Sequence, residues 1–138
     1  MSRVQIALNV SDLNEAIAFY SKFLDTQPAK VRPSYANFCV EEPPLKLVLI
    51  EGGGTPGSTN HLGVEVFSSD EVTATTARLA SQGMATDIEE STTCCYAVQD
   101  KVWVDGPDAS RWEVYTVLGD ALDRRASGAT NAVARVTR

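Results

Sequence analysis

The chain has 138 residues and a formal net charge of −6, a length and ordinary composition that fit one domain with a core large enough to need no disulfide or metal staples. The acidic balance excludes nucleic acid as the main partner, because phosphate binding needs a basic footprint. No apolar run approaches the ~20 residues that a membrane-spanning helix requires.

The N-terminal stretch MSRVQIALNV has neither a long apolar region nor a small-residue cleavage site after it, so it reads as a strand and not as a secretory signal. The expected location is cytoplasmic. From Arg3 to Val10 the pattern alternates, with Val4, Ile6, Leu8 and Val10 on one face and Gln5, Ala7 and Asn9 on the other. Ser11 or Asp12 caps a helix that runs to about residue 24, and Glu15 stands as a capping-box partner. Leu13, Ile17, Tyr20 and Leu24 form its buried stripe, widened by Ala16 and Phe19. An extended piece at 29–32, a strand at 35–40, a Glu-Glu-Pro-Pro turn and an apolar strand at 45–51 complete a β-α-β-β-β order. The Gly/Pro/Ser segment 52–59 is a linker. It lacks the Lys-Ser/Thr ending and the following helix of a phosphate loop.

The second half starts the same pattern again. A strand at 61–66 places Leu62, Val64 and Val66 opposite His61, Gly63 and Glu65. Ser68 or Ser69 caps a helix over about 70–82, closed by Gly83. A short strand follows at 86–90, then two strands at 96–99 and 101–104 around a tight bend near Asp100. After an Asp-Gly-Pro-Asp turn the last strand covers 111–117. The remainder, 121–138, has no apolar periodicity and is expected to be a flexible tail. The chain is thus one domain over 1–120, with module one at 1–51, the linker at 52–59 and module two at 60–120.

This repeat outweighs any single motif. A shift of 56 residues lays Gln5 on His61, Ile6 on Leu62 and Leu8 on Val64. The expected fold is α+β: two βαβββ modules pairing into a curved eight-stranded open barrel with helices outside. Gln5, Ala7, His61 and Gly63 would line its cavity, and Glu113 and Tyr115 share one face of the last strand.

Taken singly, these residues are weak signals. A lone histidine near a strand start is often a half-exposed side chain, and a glutamine on a sheet face is usually a hydrogen-bonding group. Glu113 sits between Trp112 and Val114; in a central strand it wants a cation, in a half-solvated one it faces outward. Together, an amide, an imidazole and a carboxylate on equivalent strands make a three-ligand set suited to Fe(II), Mn(II), Ni(II) or Zn(II), with coordination positions left open. Cys94 and Cys95 are either small packing residues or a thiolate pair turned to one side of a loop, able to chelate a soft ion. Lys101 is a candidate for favouring their thiolates. Cys39 reads as ordinary strand packing, and adjacent cysteines in a reducing compartment remain thiols.

With its duplicated βαβββ pattern and Asp-Gly-Pro turn, the chain resembles the vicinal oxygen chelate superfamily, which includes glyoxalase I and extradiol dioxygenases. More narrowly, YANFCVEEPPLKLVLIE, NHLGVEV, TTCCYAVQDKVWVDGP and RWEVYTV are similar to the carbon–arsenic lyase and cadmium-induced protein family. The resemblance covers roughly residues 1 to 120. It implies a nonheme Fe(II) dioxygenase that uses O2 to cleave the carbon–arsenic bond of methylarsenite or trivalent aromatic arsenicals. It places the metal on Gln5, His61 and Glu113, the arsenic on Cys94 and Cys95, and supporting roles on Lys101 and Tyr115. Ni, Co or Zn can occupy such a site in a purified sample. The strand LKLVLIE offers no evident inward donor, which disfavours a four-ligand glyoxalase I site. The competing readings are a non-catalytic binder of cadmium, arsenite or a drug, and another extradiol-type dioxygenase. The chain is expected to work as a monomer or homodimer.

Overall fold

The computed structural model describes residues 2–84 and 86–120; the expected flexible tail, 121–138, lies outside the described residues. The element order is β1 (Arg3–Val10), α1 (Leu13–Phe23), β2 (Lys30–Arg32), β3 (Tyr35–Val40), β4 (Leu45–Glu51), β5 (Thr59–Glu65), α2 (Ser69–Ser81), β6 (Asp87–Cys94), β7 (Ala97–Asp105) and β8 (Arg111–Asp120). This is the expected α+β class with two βαβββ modules. The chain forms two compact units, Arg3–Gly63 and Val64 onward, which divide within β5. Among the described residues no helix is long and apolar enough to cross a membrane.

In Arg3–Gly63 the strand order is β2-β3-β4-β1-β5. β1 runs parallel to β4, pairing Gln5 with Lys46, Ala7 with Val48 and Asn9 with Ile50. The two-residue alternation therefore sorts side chains cleanly. Ile6, Leu8 and Val10 lie with Leu47, Leu49, Ala36 and Phe38 against Leu13, Ala16, Ile17 and Tyr20 of α1. Phe38 and Leu49 are fully buried, each contributing about 1.5–3 kcal/mol of hydrophobic stabilisation. The opposite face carries Gln5, Asn9, Asn37 and Lys46, all buried polar residues. Val48 pairs with Ala7 there, so β4 presents no carboxylate at that position, as its sequence indicates.

Asp12, not Ser11, caps α1: its Oδ1 accepts from the Glu15 amide at 3.0 Å. Glu51 at the end of β4 accepts from the Leu13 amide at 3.1 Å, placing a carboxylate at the helix N-terminus where the dipole favours it. Phe19 departs from the expected buried stripe. It is 58% exposed and stacks on Phe23, because the apolar arc of α1 is wider than the sheet face it covers.

From Val64 onward the order is β5-β8-β7-β6. Val66, Val72 and Val102 form the core under α2, with Val64 and Val114 packed against it. Ser68 caps α2 by accepting from the Glu71 amide, while the Glu71 carboxylate accepts from the Phe67 amide and the Ser68 hydroxyl. Gly83, at φ +78, closes the helix in the left-handed region.

Two expectations fail here. The strand at 86–90 continues to Cys94, because a bulge between Glu89 and Thr92 absorbs the extra residue that looked like a loop. Ser91 takes φ 50 at that bulge and donates its amide to Asp100 Oδ1 at 2.7 Å. The expected bend at Asp100 is absent: β7 is one strand of nine residues. Asp100 accepts from Ser91 and Ser69, so neighbours satisfy its carboxylate and the chain need not turn there. β8 extends past residue 117 to Asp120.

Candidate metal and thiol site

His61 lies near the start of β5, the strand next to β1 in the Arg3–Gly63 unit, and Gln5 lies on β1. Their heads meet: Gln5 Nε2 is 3.3 Å from His61 Nε2. The other ring nitrogen, Nδ1, is 2.8 Å from Asn60 Oδ1. An amide oxygen accepts only, so Nδ1 carries the proton and Nε2 keeps its lone pair. The Gln5 amide then donates to that lone pair, and the same amide turned over presents an oxygen to a cation. Gln5 is 4% exposed, so the pair sits at the edge of the buried face.

Asn60 is itself held. Its Nδ2 donates to Asn9 Oδ1 at 2.9 Å, and Asn9 Nδ2 donates to Ser58 Oγ at 2.9 Å. The Asn9 backbone also accepts from Gly57 and donates to the Ser58 carbonyl. A Cβ on Gly53 would come within 2.9 Å of Asn9 Oδ1, and one on Gly54 within 2.8 Å of Asn9 Nδ2. The glycines of 52–59 thus let the segment close over Asn9 and fix the histidine's orientation. The sequence signal was only polarity at Asn9 and Asn60.

In the other unit, Glu113 is 3% exposed on β8. Its Oε1 lies 2.7 Å from Lys101 Nζ, and Lys101 is 1% exposed. The ammonium also stands 5.2 Å from the Trp103 ring and 5.8 Å from the Tyr115 ring. Burial alone would lower the Lys101 pKa, but the Glu113 carboxylate, helped by the nearby thiols, holds it above the ordinary lysine range. Glu113 is therefore an inward, charge-compensated carboxylate and not a solvated one. Tyr115 is 1% exposed and pairs across β7 with Lys101. Glu65, 2% exposed on β5, is a further buried carboxylate that alternation marked only as the polar half of a strand.

Cys94 ends β6, and Cys95 and Tyr96 form the two-residue connection to β7. Both central residues have positive φ, 54 and 62, the signature of a type I′ hairpin turn. That turn favours Asn-Gly, and holding non-glycine residues there costs roughly 1–2 kcal/mol each. Its effect is to break the strand alternation that would separate neighbouring side chains. The two sulfurs stand 3.3 Å apart, beyond a disulfide bond, and none of the three cysteines is in a disulfide. Contact with the Cys94 thiol and burial push the Cys95 thiol well up, against the pull of Lys101. The expectation that Lys101 draws these thiols toward thiolate is thus outweighed at Cys95.

Among the described residues no three histidine, cysteine, aspartate or glutamate side chains cluster as a metal cage. Within the Arg3–Gly63 unit, the His61 imidazole and the Gln5 amide are donors of the kind a divalent metal takes.

A duplicated βαβββ chain with buried polar strand faces defines a glyoxalase-type domain. The family description "Glyoxalase/Bleomycin resistance protein/Dioxygenase superfamily" matches residues 3–114, and the chain belongs to that superfamily. It is 61% identical over 121 residues to a Mycobacterium tuberculosis protein described as "Cadmium-induced protein CadI", covering 88% of this chain and 80% of that one. It is equally 61% identical over 122 residues to a Thermomonospora curvata "Trivalent organoarsenical cleaving enzyme", covering 88% and 81%. Among solved structures, a homoprotocatechuate 2,3-dioxygenase from Arthrobacter globiformis aligns with a TM-score of 0.62 at 20% identity, over 87% of this chain and 37% of that one. This last likeness concerns the fold alone.

Proposed function

We propose that this protein is a cytoplasmic Fe(II)-dependent dioxygenase that cleaves the carbon–arsenic bond of trivalent organoarsenicals, releasing arsenite. The observation that carries the reading is the 3.3 Å separation of the Cys94 and Cys95 sulfurs. An atom bonded to two thiolates at ~2.3 Å with bonds near right angles holds its sulfurs about 3.3 Å apart. The relative named for organoarsenical cleavage supports the substrate class.

The residues divide the work. Cys94 and Cys95 exchange the two hydroxyls of R–As(OH)2 for sulfur, releasing two waters when both thiols are protonated. The elevated Cys95 thiol matches that proton balance. The type I′ turn holds the sulfurs at chelating distance before arsenic arrives, so little ordering remains to be done on binding. Gln5, His61 and Glu113 are the metal ligands in this reading, with Asn60 fixing the histidine tautomer. A ferrous ion held by them would supply dioxygen binding and activation. Lys101 holds the Glu113 carboxylate in place through their ion pair. For methylarsenite, one substrate and one dioxygen balance as one arsenite and one formaldehyde.

The test is anaerobic Fe(II) loading, addition of methylarsenite, then air. Oxygen-dependent arsenite release is expected, with Cys94→Ser and Cys95→Ser inactive yet still binding iron. Tight arsenical binding with no turnover sinks the lyase reading in favour of a sequestering protein. Full activity in both serine variants removes the thiols from the mechanism.

A further inference from the structure

The thiol hairpin carries polar groups that the mechanism above does not use. Thr92 pairs with Gln99 across β6 and β7, two rows from the Cys94–Ala97 pair and on the same face. Lys101–Tyr115 and Trp103–Glu113 continue the rows across β7 and β8. Strand alternation puts Cys94, Thr92, Gln99, Lys101, Tyr115 and Glu113 on one face. Thr92 is 3% exposed and Gln99 is 5% exposed. Among the described residues, Thr92 Oγ1 and Gln99 Oε1 have no hydrogen-bond partner.

The Gln99 amide is oriented. Its Nε2 donates to the Cys94 carbonyl at 2.9 Å, tying the glutamine to the residue that carries one thiol. The NH2 end is thereby assigned, and Oε1 is the end left without a donor. A buried acceptor and a buried hydroxyl on residues paired across two strands cost stability unless something hydrogen-bonds to them. Their row lies ~7 Å along the strands from Cys94, the rise of two residues. That is about the reach of a ring-substituted aryl group on an arsenic held by the thiols, and a methyl group is too short to reach it.

We propose that Thr92 and Gln99 form a hydrogen-bonding subsite for a polar substituent on the organic group of the arsenical. The subsite selects aryl arsenicals bearing a hydroxyl or amino group over unsubstituted phenyl. A donor on the ring satisfies Gln99 Oε1, and Thr92 Oγ1 donates or accepts in turn. An unsubstituted ring leaves both groups unpaired, which is the strongest form of discrimination a small site has. The inference rests on the reading of Cys94 and Cys95 as an arsenic chelate.

The experiment is equilibrium binding of phenylarsenite and para-hydroxyphenylarsenite to the anaerobic full-length protein, without turnover. Wild type should prefer the hydroxylated compound by about tenfold, the order of one hydrogen bond. Thr92→Val, which removes the hydroxyl and keeps the shape, should lose most of that preference while binding phenylarsenite within about twofold of wild type. Thr92→Ser should restore it. Equal binding of the two compounds by wild type overturns the subsite and leaves the lyase reading standing. So does a Thr92→Val variant that weakens both compounds alike, since that is a packing effect. Failure of either compound to engage the thiols of wild type removes the arsenical reading and the subsite with it.

Discussion

Replacing Lys101 by methionine isolates the charge that neutralises Glu113. The pair is 2.7 Å apart, with both side chains almost wholly buried. At an effective dielectric constant near 20, their Coulomb attraction is roughly 6 kcal/mol, before the desolvation that opposes it. Methionine fills similar volume, so the main consequence is a buried carboxylate without its cation, and removing one partner of such a pair costs about 3–5 kcal/mol. In urea unfolding followed by circular dichroism, the unfolding free energy should fall by that amount, seen as a lower midpoint with the slope unchanged. For a chain of this size the thermal midpoint should drop on the order of 10–15 °C. The double variant Lys101→Met/Glu113→Gln should recover much of the loss, giving a coupling of roughly 2–3 kcal/mol. Saturating Ni(II) should also narrow the deficit, because under the proposed ligand set a metal on Glu113 would supply the missing positive charge. A loss below about 1 kcal/mol, as for an exposed surface pair, would refute the reasoning.

Asn60→Ala should weaken Ni(II) or Fe(II) binding about tenfold by freeing the His61 tautomer, while phenylarsenite affinity stays unchanged; calorimetry with each ligand separates the two effects. The elevated Cys95 thiol makes stability pH-dependent. Its folded pKa lies above the unfolded value, so the unfolded chain loses the proton first. The stabilisation is complete below pH ~8.5 and declines as pH rises beyond it. Urea midpoints at neutral pH and near pH ~9.5 should therefore diverge in wild type, and Cys95→Ala should flatten the Cys95 part of that slope.

The sequence by itself determined the duplicated βαβββ order, because period-two and period-3.6 patterns are local and each helix carries its own cap. It also marked Gln5 and His61 as equivalent positions, and the structure brings these two within 3.3 Å. Tertiary structure decided the rest. Asp100 looked like a bend because a strand-interior aspartate is unfavourable; only Ser69 and Ser91, 31 and 9 residues away, reveal that its carboxylate is satisfied in place. The thiol turn was misplaced for a related reason. Cys-Tyr carries no turn propensity, and the positive φ at both residues is imposed by the pairing of β6 with β7 on either side. Likewise Lys101 and Glu113 are twelve residues apart on different strands, and only the β7–β8 register makes them a buried ion pair. Spacing along the chain records which residues share an element, whereas charge compensation and sulfur geometry depend on contacts between elements.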